Sequence, residues 1–124
     1  MSATYAQIRN HCASMWEIHR SFLEQAKVSI VGTRYAALMA LGAAQDFSMR
    51  YGDLEHKLGK PHKTLQNVVG ELVSLGLCSM RSDENDRRFR VIALTPRGLE
   101  VLGEHVAHVA ATLCAPLPAV SNGN

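Results

Sequence analysis

The stretch Leu72–Gly98, LVSLGLCSMRSDENDRRFRVIALTPRG, decides how this chain is read. Its first residues complete an amphipathic helix that stops at Gly76. A short run follows from Leu77 to Arg81, then a polar loop from Ser82 to Arg87. A second run spans Phe89–Leu94, and Thr95-Pro96 offers an N-cap and a first-turn proline for a new helix. Helix, strand, charged tip, strand, helix is the outline of a winged helix. Arg87, Arg88 and Arg90 cluster on the returning side of the tip. A loop this charged gains nothing from burial. It is either simply solvated or holds arginines ready for a polyanion, and the clustering favours the polyanion.

Two helices precede that stretch. Tyr51–Leu58 makes about two turns with Leu54 and Leu58 inward, closed by Gly59 and the Lys60-Pro61 turn. His62–Leu75 follows, and Leu65, Val68, Val69, Leu72 and Leu75 keep the helical period. Two helices joined by a short glycine-containing turn form a helix-turn-helix. The second helix of that motif enters the DNA major groove and presents its N-terminal outward residues to base edges. Here those are His62, Lys63, Thr64, Gln66 and Asn67. Gln and Asn can pair with adenine, Lys can donate to guanine, and a Thr methyl can meet thymine. The bland reading is that any amphipathic helix has a polar outer face.

Upstream, Tyr5, Ile8, Cys12, Met15, His19, Phe22 and Ala26 form one stripe of a long helix over Ala3–Ala26, widened by Trp16 and Leu23. Its surplus apolar face predicts a dimer helix; the alternative is a helix packed along its own domain. Val28–Val31 reads as a connector, with Thr33 as a cap for a nearly all-apolar central helix, Arg34–Ala44. Phe47–Met49 is a minimal first strand. At the other end Leu99, Leu102, Val106, Val109 and Leu113 stripe a last helix ending near Cys114. The expected organisation is a dimerisation helix and connector (1–32), a DNA-binding domain (33–98), a second dimerisation helix (99–115) and a disordered tail (116–124). The fold class is mainly α with a small antiparallel β-wing, α+β.

Composition narrows the function classes. The chain has 124 residues, enough for one domain with a real core, and a net charge of only +2. Global charge therefore does not announce a nucleic-acid binder, but Lys57, Lys60, Lys63, Arg81, Arg87, Arg88, Arg90 and Arg97 concentrate in the second half. The N-terminus MSATYAQIRNH lacks a signal-peptide core, and no apolar run reaches the roughly 18 residues that span a bilayer. Three widely spaced cysteines without a CxxC pair suit reduced thiols. These features predict a cytoplasmic chain with no membrane association. No nucleophile elbow, phosphate-binding glycine loop or paired carboxylates suggest catalysis. No enzyme activity and no cofactor are expected.

The region from about Met49 to Leu102 resembles the MarR family of bacterial transcription regulators. Leu54–Leu58 with Gly59 resembles its "ELAxxLG" helix, Thr64–Leu77 its recognition helix ending in "LxxxGL", Asp83–Arg88 (DENDRR) its wing "DPxDRR", and Leu94–Gly98 its "LTxxG". The resemblance implies a homodimer on a palindromic double-stranded DNA operator, most often as a repressor. It implies that Arg88 enters the minor groove, that Asp86 helps hold the wing, and that Arg87 meets a phosphate. Lys63, Thr64, Gln66 and Asn67 fall on its groove-facing positions. Pro61 stands where the family carries a serine cap. Typical members continue with a further C-terminal helix, so the resemblance implies a reduced or rearranged dimer interface here.

Three sensor readings accompany that resemblance. Cys12 lies on the first helix, where the hydroperoxide-sensing branch also uses a cysteine, but its place on the apolar stripe favours an inert thiol. A small aromatic effector beside the first helices implies Trp16, His19 and Tyr35 as lining residues. His105 and His108, with Glu104 and Cys114 nearby, invite comparison with ArsR-type metal regulators, although solvated or interfacial histidines fit the spacing better and no metal site is expected. A rival from another class is a winged-helix protein-interaction module that does not touch DNA.

Overall fold

The computed structural model describes residues 3–26 and 32–114. The connector expected at Val28–Val31 and the tail expected from residue 116 lie outside the described residues, as do the side chains of Phe22, Leu23, Ala26 and Leu113.

Helix α1 runs Tyr5–Ala26. Thr4 caps it: the Gln7 amide donates to the Thr4 hydroxyl at 3.2 Å and the Thr4 amide donates to Gln7 Oε1 at 2.9 Å, a reciprocal capping box. Ile8, Cys12, Trp16 and His19 form its buried face, while Tyr5 is 62% exposed despite its place on the stripe. Helix α2, Thr33–Ala43, is the central helix, with Ala36, Ala37, Met39, Ala40, Leu41 and Gly42 buried. Its N-cap is Gly32 rather than Thr33, without a side-chain cap bond.

Small residues let α1 and α2 approach closely. A Cβ built on Gly42 would sit 2.5 Å from Cys12 Sγ, so the absent side chain makes the room for the thiol. After α2 a 3-10 turn, Gln45–Phe47, carries two successive left-handed residues, Asp46 at φ 56° and Phe47 at φ 55°. Aspartate tolerates that region; a buried phenylalanine there is held by its surroundings. Tyr5 packs edge-on to the Phe47 ring, and the Arg9 guanidinium lies 5.1 Å from its centroid.

Strand β1 is Ser48–Arg50, one residue later than expected, because Phe47 belongs to the turn. Helix α3, Tyr51–Leu58, ends on Gly59 in the left-handed region, and α4 spans His62–Ser74. Leu75, assigned inward by periodicity, is 65% exposed. It is the C-cap of α4, where the chain leaves the helix and swings the side chain out. The Gly76 amide donates to the Val73 carbonyl and the Leu77 amide to the Leu72 carbonyl, both at 3.0 Å. That pair of bonds is a Schellman close, which Gly76 permits with φ 77°.

Strands β2 (Cys78–Ser82) and β3 (Arg90–Leu94) follow, each shorter or shifted by one residue from the sequence reading. The sheet is antiparallel in the order β1-β3-β2, with Cys78 opposite Leu94 and Ser82 opposite Arg90. Helix α5 runs Pro96–Cys114. Thr95 joins its start to the end of α4. The Thr95 amide donates to the Leu77 carbonyl at 3.0 Å and its hydroxyl to the Gly76 carbonyl at 2.5 Å. The same hydroxyl accepts the Gly98 amide at 3.0 Å, an N-cap bond. A Cβ on Gly98 would collide with the Leu77 carbonyl oxygen. The threonine and glycine of the LTxxG pattern thus serve one close helix-to-turn contact. One core unites α1, α2, α3, α4, the sheet and α5, centred on Leu41, Leu54, Leu65 and Ile92, all 0% exposed.

Candidate nucleic-acid interface

Burial of Leu65, Val68, Val69 and Leu72 turns the opposite face of α4 to solvent. His62, Lys63, Thr64, Gln66 and Asn67 are all exposed there. Pro61 occupies the N-cap position without a side-chain bond to the first-turn amides. Those amides point along the helix axis at a positively polarised end, which suits an anion. His62 is engaged before any ligand arrives: its Nδ1 lies 2.6 Å from Glu55 Oε2, and its ring packs 5.5 Å from that of Tyr51.

Around the wing tip, aspartates fold the backbone and hold the arginines. Asp86 Oδ1 accepts the Arg88 backbone amide at 3.1 Å and Arg88 Nε at 3.0 Å, while Oδ2 accepts Arg88 Nη2 at 2.7 Å. These bonds, with the Arg88 side-chain bond the largest influence, hold the Asp86 carboxyl below the usual carboxylate range. Arg88 is nonetheless 84% exposed in its side chain, so the carboxylate aims the guanidinium without covering it. Asp83 does similar work at the base of the loop. Its Oδ1 accepts the Asn85 amide at 2.8 Å and its Oδ2 accepts Arg50 Nε at 2.7 Å, and its carboxyl is likewise held low, first by the Asn85 bond.

A shallow groove connects the two parts. It is lined by Tyr51 of α3, His62 and Gln66 of α4, and Met80 and Arg90 of the wing strands. The outer face of α4 and the root of the wing therefore form one continuous surface. Periodicity gives the α4 residues and the charged tip gives its arginines, but Arg50 and Tyr51, and the contacts of Asp83 and Phe89 with Arg50, are not readable as parts of this surface. Their partners lie up to 39 positions away, and no local pattern connects them.

The sensor residues fall in three groups of contacts, with Cys12, Trp16 and His19 buried and Tyr35 half-buried. Cys12 is fully buried beside Gly42, and burial pushes its thiol up to about 11. Trp16 and His19 pack on each other at 5.5 Å, with the Lys57 ammonium 5.0 Å from the Trp16 ring. Tyr35 hydrogen-bonds His105 Nε2 at 2.8 Å, and His11 packs edge-on to His105 at 5.8 Å. Burial, then the neighbouring His105, lowers the His11 pKa; burial, then Cys12, raises that of Tyr35. Among the described residues no group of three or more His, Cys, Asp or Glu side chains is placed to hold a metal ion. No helix among them is long and apolar enough to cross a membrane.

No family model matches this chain, and neither does any curated protein. Solved structures do match. The PcaV transcriptional regulator from Streptomyces coelicolor, solved with its natural ligand, is 27% identical, with a TM-score of 0.53 over 96% of this chain and 86% of that one. AbsC, a MarR family transcriptional regulator from the same organism, gives a TM-score of 0.59 at 21% identity, over 86% and 76% of the two chains. The S. aureus MepR–DNA complex gives 0.59 at 23% identity, over 85% and 82%. The structural neighbours of this chain are MarR family transcriptional regulators, and their winged-helix architecture is its own.

Proposed function

We propose that this chain is a sequence-specific, double-stranded DNA-binding transcriptional regulator that acts as a homodimeric repressor on a palindromic operator in the cytoplasm. The observation that carries the reading is the continuous surface from the outer face of α4 to the wing, with Arg88 aimed outward by Asp86. Lys63, Thr64, Gln66 and Asn67 read base edges in the major groove. Arg88 enters the adjacent minor groove, where a narrow groove deepens the negative potential, and Arg87 contacts a phosphate. His62 lies at the edge of the base-reading face, where its bond to Glu55 orients it.

α1 and α5 supply the dimer contact in this reading. The exposed apolar side chain of Ile18 on α1 supports it. A small-molecule effector is the favoured release signal, and the ligand-bound PcaV structure supports that route. Oxidation of Cys12 is disfavoured by its burial and raised pKa.

In-vitro selection of duplexes from a randomised library tests the reading directly. Enriched palindromic half-sites about one helical turn apart are expected, with affinity falling steeply as salt rises. A salt slope near zero and no enriched sequence would sink it in favour of a protein-interaction module.

A further inference from the structure

β1 flanks the wing hairpin only opposite Val91–Ala93, so beyond Val91 the hairpin runs on as a two-stranded ribbon, and such a ribbon bends and twists easily. A minor-groove arginine on such a ribbon is useful only if its height above the recognition helix is set. Arg50 is placed to set it. It ends β1, pairs with Val91 in the sheet, and is the residue from which α3 begins. Its guanidinium has two attachments in the wing. Nε donates to Asp83 Oδ2 at 2.7 Å, and the Arg50 Cζ lies 4.4 Å from the centroid of the Phe89 ring. Asp83 is only 13% exposed in its side chain, and its backbone amide donates to the Phe89 carbonyl at 2.8 Å, closing the loop. Arg88 lies over the same Phe89 ring at 5.8 Å. The contacts therefore run without a break from the start of α3, through Asp83 and Phe89, to Arg88.

We propose that Arg50 is a positioning residue of the DNA interface, bracing the wing through Asp83 and Phe89 so that Arg88 is held in register with α4. The inference rests on the DNA-binding reading above. Arg50 acts here through the wing rather than through a phosphate: its side chain is half as exposed as that of Arg88, 41% against 84%, and it is bonded to the largely buried Asp83. Phe89 is part of the brace: it offers one ring to both arginines.

A double-mutant cycle separates the possibilities, using the full chain and the best duplex from selection. Wild type, R50Q, R88A and R50Q/R88A are compared in duplex affinity, salt slope and thermal midpoint. R50Q is expected to weaken binding about tenfold in the wild-type background and to have little further effect once Arg88 is gone. Its salt slope should stay at the wild-type value, whereas R88A should lower the slope by about one. Hydrogen exchange of the Asn85 and Phe89 amides, both bonded within the loop, should speed up in R50Q without DNA.

Additive losses with a reduced slope in R50Q would make Arg50 a phosphate contact and overturn the brace. Wild-type affinity in R50Q would overturn it as well. If R50Q lowers the thermal midpoint, F89L supplies the second arm. It keeps the Arg50–Asp83 bond, removes the ring, and should reproduce the non-additivity with R88A; additivity there overturns the proposal. Failure of the wild-type chain to bind any duplex would instead overturn the DNA-binding reading beneath it, and the inference with it.

Discussion

Asp86 holds Arg88 through both main chain and side chain: one carboxylate oxygen accepts the backbone amide at 3.1 Å, the other the guanidinium Nη2 at 2.7 Å. The two residues are a single device, in which the acid fixes the direction of the base. If the proposed DNA-binding reading holds, Arg88→Ala should weaken duplex binding by about ten- to a hundredfold through loss of the proposed groove contact. The thermal midpoint should stay within experimental error of wild type, since the side chain is solvent-exposed. Asp86→Asn keeps the shape but loses the charge, and should weaken binding less than Arg88→Ala. Fluorescence anisotropy with a labelled duplex measures both; equal affinity in Arg88→Ala and wild type would remove Arg88 from the interface.

Cys12 and Gly42 form a second pair, this time in the core. Gly42→Ala should destabilise the protein by about 1–3 kcal/mol, the ordinary consequence of overpacking. Cys12→Ala, by shortening the facing side chain, should recover a substantial part of that loss in the double variant. Denaturant midpoints of the four proteins give the coupling. The same burial predicts slow labelling of Cys12 by thiol reagents in native buffer and rapid labelling once unfolded. Rapid native labelling would restore the oxidation-sensing reading.

His11 makes stability depend on pH. Its folded pKa lies below the ordinary imidazole value of about 6.5, through burial and then the nearby His105. The folded state therefore prefers the neutral ring. As pH falls through about 6.5 the unfolded chain takes up a proton that the folded chain resists, so this contribution is present above that pH and declines below it. His11→Gln should flatten the loss between neutral pH and the folded pKa. Thermal melts in a pH series decide it, and a variant with the wild-type pH profile would contradict the assignment.

Gly98 predicts the largest backbone effect. Any Cβ there runs into the Leu77 carbonyl oxygen, which also accepts the Thr95 amide. Gly98→Ala should cost several kcal/mol or abolish folding, whereas Thr95→Ser, which keeps the hydroxyl, should be mild. Thr95→Ala should fall between them at about 1–2 kcal/mol, a lost cap. Chemical denaturation ranks the three, and an innocuous Gly98→Ala would mean that the turn at Leu77 relaxes freely.

The helix-turn-helix, the wing and the caps of α5 were legible because their signals are local. Leucine period, Gly59, Gly76 and the Thr95-Pro96 pair each act within a few residues. Thr4 and Gln7 carry a capping signal of the same local kind, and it starts α1 at Tyr5 where periodicity alone extends it to Ala3. Leu75 was misplaced because a period says nothing about where the helix stops. Asp46 and Phe47 adopt a left-handed turn with no glycine to mark it, which moved β1 by one residue. The polar face of α4 and the tip arginines were readable, but Arg50 was not. Its meaning depends on Asp83 and Phe89, which only the antiparallel pairing of β1 with β3 brings within reach.

The junction of Thr95 with Gly76 and Leu77 has an evolutionary consequence. It ties together the two ends of the segment between α4 and α5 without using any residue of the wing tip. Lengthening a loop whose ends are already pinned costs only about 0.6 kcal/mol per doubling. The hairpin is in this sense an exchangeable cassette: between Asp83 and Phe89, which Arg50 holds, its tip can lengthen, shorten or change charge while the body that carries it keeps its shape. If the tip reads DNA as proposed, its preference can then drift without a matching change in the core.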